Sequence, residues 1–379
     1  MLTSLLTLST TFLPIFRKLG EASYSEVFGM SIGTDDSTIV IKVIPLLGVA
    51  LLQLDDDPTE TEFPDCSAPE DVLREITITR KMAGLHGGGF VDFHGAFVVR
   101  GRYPASLLDR WDTYCSTVGT ESIRPDGFSD KQHYAVILLS HGGPDLETFK
   151  FDTSIGWLQA AAVFWQVVDA LARGEEWTRF EHRDLHKGQI LISAQIPPSD
   201  SDADNYLCSH GSPVRVTIID FGLSRLEIGK SVWTPLPEEV YEGVGPQWDV
   251  YREMRDRVDG DWEAFHPITN VLWLYHILRT LLHSTKSLRK PRAKQIGALA
   301  SPSRPTRQIT NQIPVKRCKA VIENPLTARG EKAYAALIQA EKVIAVTLGK
   351  SRKDRQHCPE LGSAKEVIAW GREMGWIQR

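Results

Sequence analysis

Apolar and polar positions along the chain switch between a period of two and a helical period. "EVFGMSIGTDDSTIVIKVIPL" places β-branched and apolar residues on both sides of Gly33, Thr34, Asp35 and Asp36, which predicts a hairpin followed by a buried strand. In "PEDVLREITITRKMAGL", Val72, Leu73, Ile76 and Met82 fall near helical spacing behind an acidic start, which predicts a helix. "YAVILLSHGGPDLETF" is a continuous apolar strand ending in a double glycine, and "SIGWLQAAAVFWQVVDALARGEEWT" is a long helix. The order is a small β-rich lobe, a hinge and a larger helical lobe.

Three segments interrupt that order. Residues 55–71 and 197–205 are acidic and rich in Pro or Ser, and they are expected to be solvated loops. Between Lys286 and Lys319 there are ten Lys or Arg and no acid, which predicts a solvated insertion over 284–320, with nuclear import or phosphate contact as its alternative use.

Composition narrows the class. The 379 residues are 42% hydrophobic and 24% charged, an ordinary globular balance. A net charge of -5 argues against a surface given over to nucleic acid or an anionic membrane. The five cysteines are dispersed and form no C-x-x-C pair, so neither a disulfide framework nor a zinc site is indicated. "MLTSLLTLSTTFLPIF" is uncharged but lacks a basic start and a cleavage site, and no window reaches the ~18 apolar residues of a membrane span.

Candidate chemistry gathers around "EHRDLHKGQILIS" (residues 181–193). Downstream, "VTIIDFGLSRL" is an apolar strand ending in Asp220, a carboxylate beside Gly222 of the kind that presents a magnesium ligand. Upstream, Lys42 interrupts the strand "IVIKVIPL", where an amine is costly without a partner, and Glu75 on the next helix can supply one. In this order these are the parts of a protein kinase: lid, strand lysine, helix glutamate, H-R-D loop and D-F-G. Phosphoryl transfer needs the nucleotide held in line and its charge neutralised. Lys42, oriented by Glu75, would bind the α- and β-phosphates. Asp220 would hold Mg2+, with Gln189 at the second ligand position. Asp184 would accept the substrate's hydroxyl proton, and Arg183 and His186 complete the catalytic loop. The ATP site would draw on Leu19, Gly20, Ala22, Val27, Lys42, Gln189 and Asp220. In the lid, the usual three glycines have become Gly20, Ala22 and Ser25.

The chain also resembles the haspin kinases, specifically their fungal members. "EHRDLHKGQILI" is similar to that family's E-H-R-D-L-H-x-G-N run, and "IIDFGLSRLE" to its I-I-D-x-x-L-S-R-L-E. "QWDVYREM", "HPITNVLWLYHIL" and "AKEVIAWGREMGWI" look like haspin far from any shared kinase chemistry. The resemblance implies an α+β, bilobal protein-kinase-like fold, with an N-lobe over 1–139 and a mainly helical C-lobe over 140–379. It implies a serine/threonine kinase of the histone H-three tail, active in chromosome segregation, in nucleus and cytoplasm, monomeric, with no membrane and no sequence-specific nucleic-acid contact. It places Asp249 as a buried anchor of the catalytic loop, Ser140, His141 and Gly142 at the adenine hinge of the ATP site, and Asp145 near the ribose and substrate cleft. Gln189 departs from the family's asparagine, and Gly243 and Gly245 stand where acidic residues would meet a basic tail. The chain also begins almost at the lid, without the long N-terminal region usual in the family. Two rival readings follow: a pseudokinase that binds nucleotide without turnover, and a phosphotransferase of the aminoglycoside or choline kinase type.

Overall fold

The computed structural model describes residues 15–22, 24–31, 38–48, 64–195, 212–291, 325–351 and 359–377. Five strands form one antiparallel sheet in the order β1-β2-β3-β5-β4: β1 Ile15–Ala22, β2 Ser25–Ser31, β3 Thr38–Pro45, β4 Phe93–Arg100 and β5 His133–Ser140. Period-two alternation gives the sheet two apolar faces. Ile41, Val43 and Val136 pack with Phe28, Tyr134 and Leu107 on one side. Ile44, Ala135 and Ile137 pack with Val72 on the other. Lys42 belongs to the second face, the one covered by helix α1, Pro69–Ala83.

On α1 the buried positions are Val72, Ile78, Thr79 and Met82, whereas Leu73 is 64% exposed. Leu73 sits one residue, about 100°, from Val72, so the stripe runs past it. Asp71 and Glu70 form the acidic first turn of this helix, so the loop expected over 55–71 ends by Ala68. Its residues 55–63, the segment 197–205 and the basic run beyond Pro291 lie outside the described residues.

Helix α2, Ala105–Thr117, covers the first sheet face through Leu107 and Trp111, an i,i+4 pair that the sequence reading assigned to no element. The larger core is built around α3, Gly156–Thr178, whose interior is buried almost all round. The hairpin of β6 Ile190–Ala194 and β7 Val214–Ile218 packs against α3. Further on come the short pair β8 Leu226–Ile228 and β9 Lys230–Val232, then helices α4 Pro246–Val258, α5 Ile268–Arg279, α6 Pro325–Thr347 and α7 Ala364–Glu373. The arrangement is the α+β, bilobal kinase-like fold expected. Among the described residues no helix is long and apolar enough to cross a membrane.

A buried relay ties the end of the chain to the catalytic loop. Glu175 accepts from the first backbone amides of α7, Ala364 and Lys365, and from Asn270 Nδ2. Asn270 in turn donates to the Phe180 carbonyl and accepts from the His182 amide.

Candidate active site

Between the sheet and the helical part lies a cavity of about 1030 Å³. Its apolar walls include Leu19, Val27, Val40, Leu139, Leu191 and Ile219. Four of these six went unremarked in the sequence. Strand alternation is the signal for one of them, because Val40 lies two residues before Lys42 and so shares its face, and Val40 pairs with Leu139 across the sheet.

Lys42 Nζ stands 2.6 Å from Glu75 Oε1 and 3.9 Å from Asp220 Oδ1. Burial opposes the charge on Lys42, but Asp220 and Glu75 outweigh it and its pKa is raised. Burial also works against the Asp220 carboxylate, yet Lys42 and the Gly222 amide hold its pKa below the usual range. Both groups are therefore ionised at neutral pH. Asp220 adopts a φ of 62°, which turns its carboxylate off the end of the β7 segment toward Lys42.

Asp184 faces the same cavity, and Tyr251 Oη donates a short hydrogen bond to its Oδ1. Burial dominates and pushes the Asp184 carboxyl up to about 7, with Asp220 adding repulsion and Tyr251 and Gln189 pulling the other way. A carboxylate poised near neutrality suits a general base. The backbone of the loop is held separately. Arg183, with φ 66° and no exposure, pairs with the equally buried Glu181 at 3.1 Å and donates to the Trp262 carbonyl at 2.8 Å. Arg183 thus touches the interior and not the cleft, so it positions the loop. His182 is buried beside it, and its Nδ1 accepts from the Asp184 amide.

His186 Nδ1 accepts from the Gly188 amide at 3.0 Å, and its Nε2 lies 3.9 Å from Asp184 Oδ1. The Gln189 carboxamide rests 3.0 Å from the same Nε2. The contact puts the carboxamide nitrogen of Gln189 beside His186, and the same side chain helps to lower the Asp184 carboxyl.

Other expected residues fall in several places. Leu19, Gly20, Ser140 and Asp145 line the cavity. Ala22 pairs with Ser25 at the tip of the β1–β2 hairpin. Gly142 lies between His141 and Gly143 of the cavity wall without lining it: its carbonyl accepts from Ser193 Oγ, and a Cβ there would lie 2.8 Å from Leu191. Its neighbour Gly143 lines the cavity instead, with φ +95° and no room for a side chain against the Ile192 carbonyl. Asp249 is corrected. It is solvent-exposed and paired with Arg252 on the outer face of α4, whose buried positions are Val250, Tyr251, Met254 and Val258. Tyr251, two residues later, makes the contact to the catalytic loop that was expected of Asp249.

The residues present fit a magnesium nucleotide. Mg2+ is held by one or two carboxylates together with phosphate oxygens, and Asp220 offers a hard, ionised donor on the cavity wall beside the Lys42 ammonium.

The Tyr251 contact predicts a pH effect. Were Asp184 to serve as a base, it would act as its carboxylate, and kcat/KM should rise with pH through a limb near 7 and level off above it. A hydrogen bond to a charged group contributes ~1.5–3 kcal/mol, and one pKa unit is ~1.4 kcal/mol. Tyr251→Phe should therefore move the limb up by about one unit or more, lowering the rate at pH 7 roughly fivefold. A pH–rate profile of both proteins measures this; an unmoved limb would assign it to another group.

A family model described as a haspin like kinase domain matches residues 4–322. The chain is 34% identical over 322 residues to the serine/threonine-protein kinase haspin homolog hrk1 of Schizosaccharomyces pombe, covering 76% of this chain and 61% of that protein. It is 36% identical over 289 residues to the haspin homolog of Drosophila melanogaster, covering 71% and 49%, and 32% identical over 288 residues to haspin of Mus musculus, covering 74% and 37%. The chain thus spans between 37% and 61% of the length of these three relatives.

Proposed function

Since the chain belongs to the haspin-like kinase family, we propose that it is an ATP-dependent serine/threonine protein kinase acting on a basic protein segment such as the histone H-three tail. The observation that carries this reading is the convergence of Lys42, Glu75, Asp220 and Asp184 on one cavity, with the lysine paired at 2.6 Å. Lys42 binds the α- and β-phosphates of ATP, and Glu75 fixes its direction. Magnesium, when bound, would supply neutralisation of charge on the transferring phosphates, and Asp220 would hold it, with Gln189 at the second ligand position. Asp184 takes the proton of the attacking serine or threonine hydroxyl as its oxygen bonds to the γ-phosphorus and the bond to the ADP oxygen breaks. Tyr251 steadies the base, and Arg183 and Glu181 fix the loop beneath it. The direct test is incubation of the purified chain with labelled ATP and a histone-tail peptide.

Two further results are expected of this enzyme. The segment from Gly222 to Asp249 has only 26 intervening residues and is ordered by the Glu181–Arg225 backbone pair and by Arg225 bonds to the Arg179 and Glu263 carbonyls. Those bonds are all made by groups of the chain itself across a short segment, so activity should survive phosphatase treatment in full. Loss of activity on treatment would make phosphorylation a requirement. The second concerns Gln189. Its extra methylene sets the carboxamide oxygen ~1.5 Å from where asparagine would place it, and ~1 Å of misplacement can cost about a hundredfold in rate. Gln189→Asn should raise kcat about tenfold with little change in nucleotide affinity. Steady-state kinetics at saturating magnesium read both quantities, and an asparagine variant no faster than the parent defeats this account of Gln189.

A further inference from the structure

The β1–β2 hairpin at the cavity carries an ionic cluster on the strand face opposite Val27 and Lys42, and Glu21 and Glu26 of that cluster also line the edge of the cavity. Glu21 and Glu26 face each other directly across the two strands. Two carboxylates so placed repel unless a cation joins them. Lys18 does so: its side chain is fully buried, and its Nζ lies 2.9 Å from Glu21 Oε2 and 2.5 Å from Glu26 Oε2. In a regular strand, residues 18 and 21 would point to opposite faces. The pairing register slips between Lys18 and Gly20, and this bulge at Leu19 brings Lys18 onto the side of the two glutamates.

The cluster reaches beyond the hairpin. The Lys18 ammonium stands over the rings of Trp111 and Tyr114 of α2, at 5.5 and 4.8 Å. Glu21 accepts from Thr120 Oγ1, the Glu121 amide and Ser122 Oγ at 2.5, 2.8 and 3.1 Å. Glu26 accepts from Trp111 Nε1 and Ser122 Oγ at 3.2 and 2.8 Å. Burial works against the Glu21 charge, but these donors and Lys18 bring its carboxyl down to about 2. Meanwhile Val27, next to Glu26, shares the opposite face with Lys42. One side of the hairpin is thus bolted to α2 and residues 120–122, and the other faces the phosphate-binding lysine.

We infer that Lys18, Glu21 and Glu26 are positioning residues that hold the lid in a fixed pose over the phosphate chain of a nucleoside triphosphate, an inference that rests on the kinase reading. The fixed pose answers the loss of two lid glycines. A lid with Ala22 and Ser25 has less conformational freedom to close around phosphates than one with three glycines. Presetting the hairpin removes the need for closure, because a segment ordered in advance costs less entropy on binding.

The experiment uses the whole chain and three variants: Lys18→Met, Lys18→Met combined with Glu26→Gln, and Thr120→Val, which removes one donor to Glu21. Hydrogen exchange of the β1–β2 amides is measured without nucleotide, and KM for ATP and kcat are measured on the same proteins. Lys18→Met should speed hairpin exchange at least tenfold and raise KM for ATP at least tenfold, with kcat within threefold of the parent. Adding Glu26→Gln removes the opposed charge and should recover part of both losses. Should Lys18→Met fail to fold, Thr120→Val decides alone, with exchange and KM each raised at least threefold. Unchanged exchange in the folded variants, or a fall in kcat without a rise in KM, overturns the inference. A parent chain that neither binds nor turns over ATP defeats the kinase reading, and the exchange measured without nucleotide still decides whether the cluster fixes the hairpin.

Discussion

Asp184→Asn is expected to lose at least a hundredfold in kcat while magnesium-ATP still raises its melting temperature. Asparagine keeps the shape of the side chain and an oxygen to accept from Tyr251, so the loop geometry is retained. What it loses is a site for the hydroxyl proton. A positioned general base contributes ~10²–10⁴ in rate. Lys42, Glu75 and Asp220 are untouched by the change, and ligand stabilisation follows mass action on the folded state whether or not turnover occurs. Rate and stabilisation should therefore separate in this variant. Equal turnover by the two proteins would remove Asp184 from the role of base.

The other large effect falls on stability. Arg183 and Glu181 are both without exposure, and Glu181 also accepts from Thr269 Oγ1 and the His266 amide, each at 2.8 Å. Arg183→Met leaves that carboxylate buried with neutral donors only. Breaking a buried pair by removing one partner costs about 3–5 kcal/mol. Denaturant unfolding should show a loss of that size, whereas replacing the exposed Asp249, which pairs with Arg252, should change stability by about 1 kcal/mol or less. Similar stability of the two variants would mean that the Arg183 pair does not anchor the catalytic loop.

Much of this was legible in the sequence because chemistry and periodicity agreed. Lys42 on an apolar strand and Glu75 on the following helix do meet, because a buried amine is costly without a carboxylate partner. Asp220 at the end of an apolar strand does reach the same cavity as Asp184. Where the reading missed, a face or a neighbour decided the matter. Asp249 and Tyr251 share one helix, and the stripe of Val250, Tyr251, Met254 and Val258 puts the tyrosine inward and the aspartate outward. Helical spacing counted from Pro246 was the available signal. Gly142 and Gly143 are adjacent glycines that composition cannot separate; the close approach of Leu191 to one and of the Ile192 carbonyl to the other does so only in three dimensions. The Lys18 cluster depends on a one-residue slip at Leu19, which no alternation pattern announces. At position 243, where an acidic residue was expected of a relative, a Cβ would lie 2.1 Å from the Trp248 ring, so packing accounts for glycine there.

The central claim is transfer of a phosphoryl group from ATP to a protein hydroxyl, and one assay meets it head on. The purified chain is given labelled ATP, magnesium, a histone H-three tail peptide, an aminoglycoside and choline in parallel reactions, with Asp184→Asn beside it. The predicted result is label on a serine or threonine of the peptide, none on the small alcohols, and a rate at least a hundredfold lower in the variant. Label on an aminoglycoside or choline and none on the peptide, or no transfer to any acceptor, would contradict it.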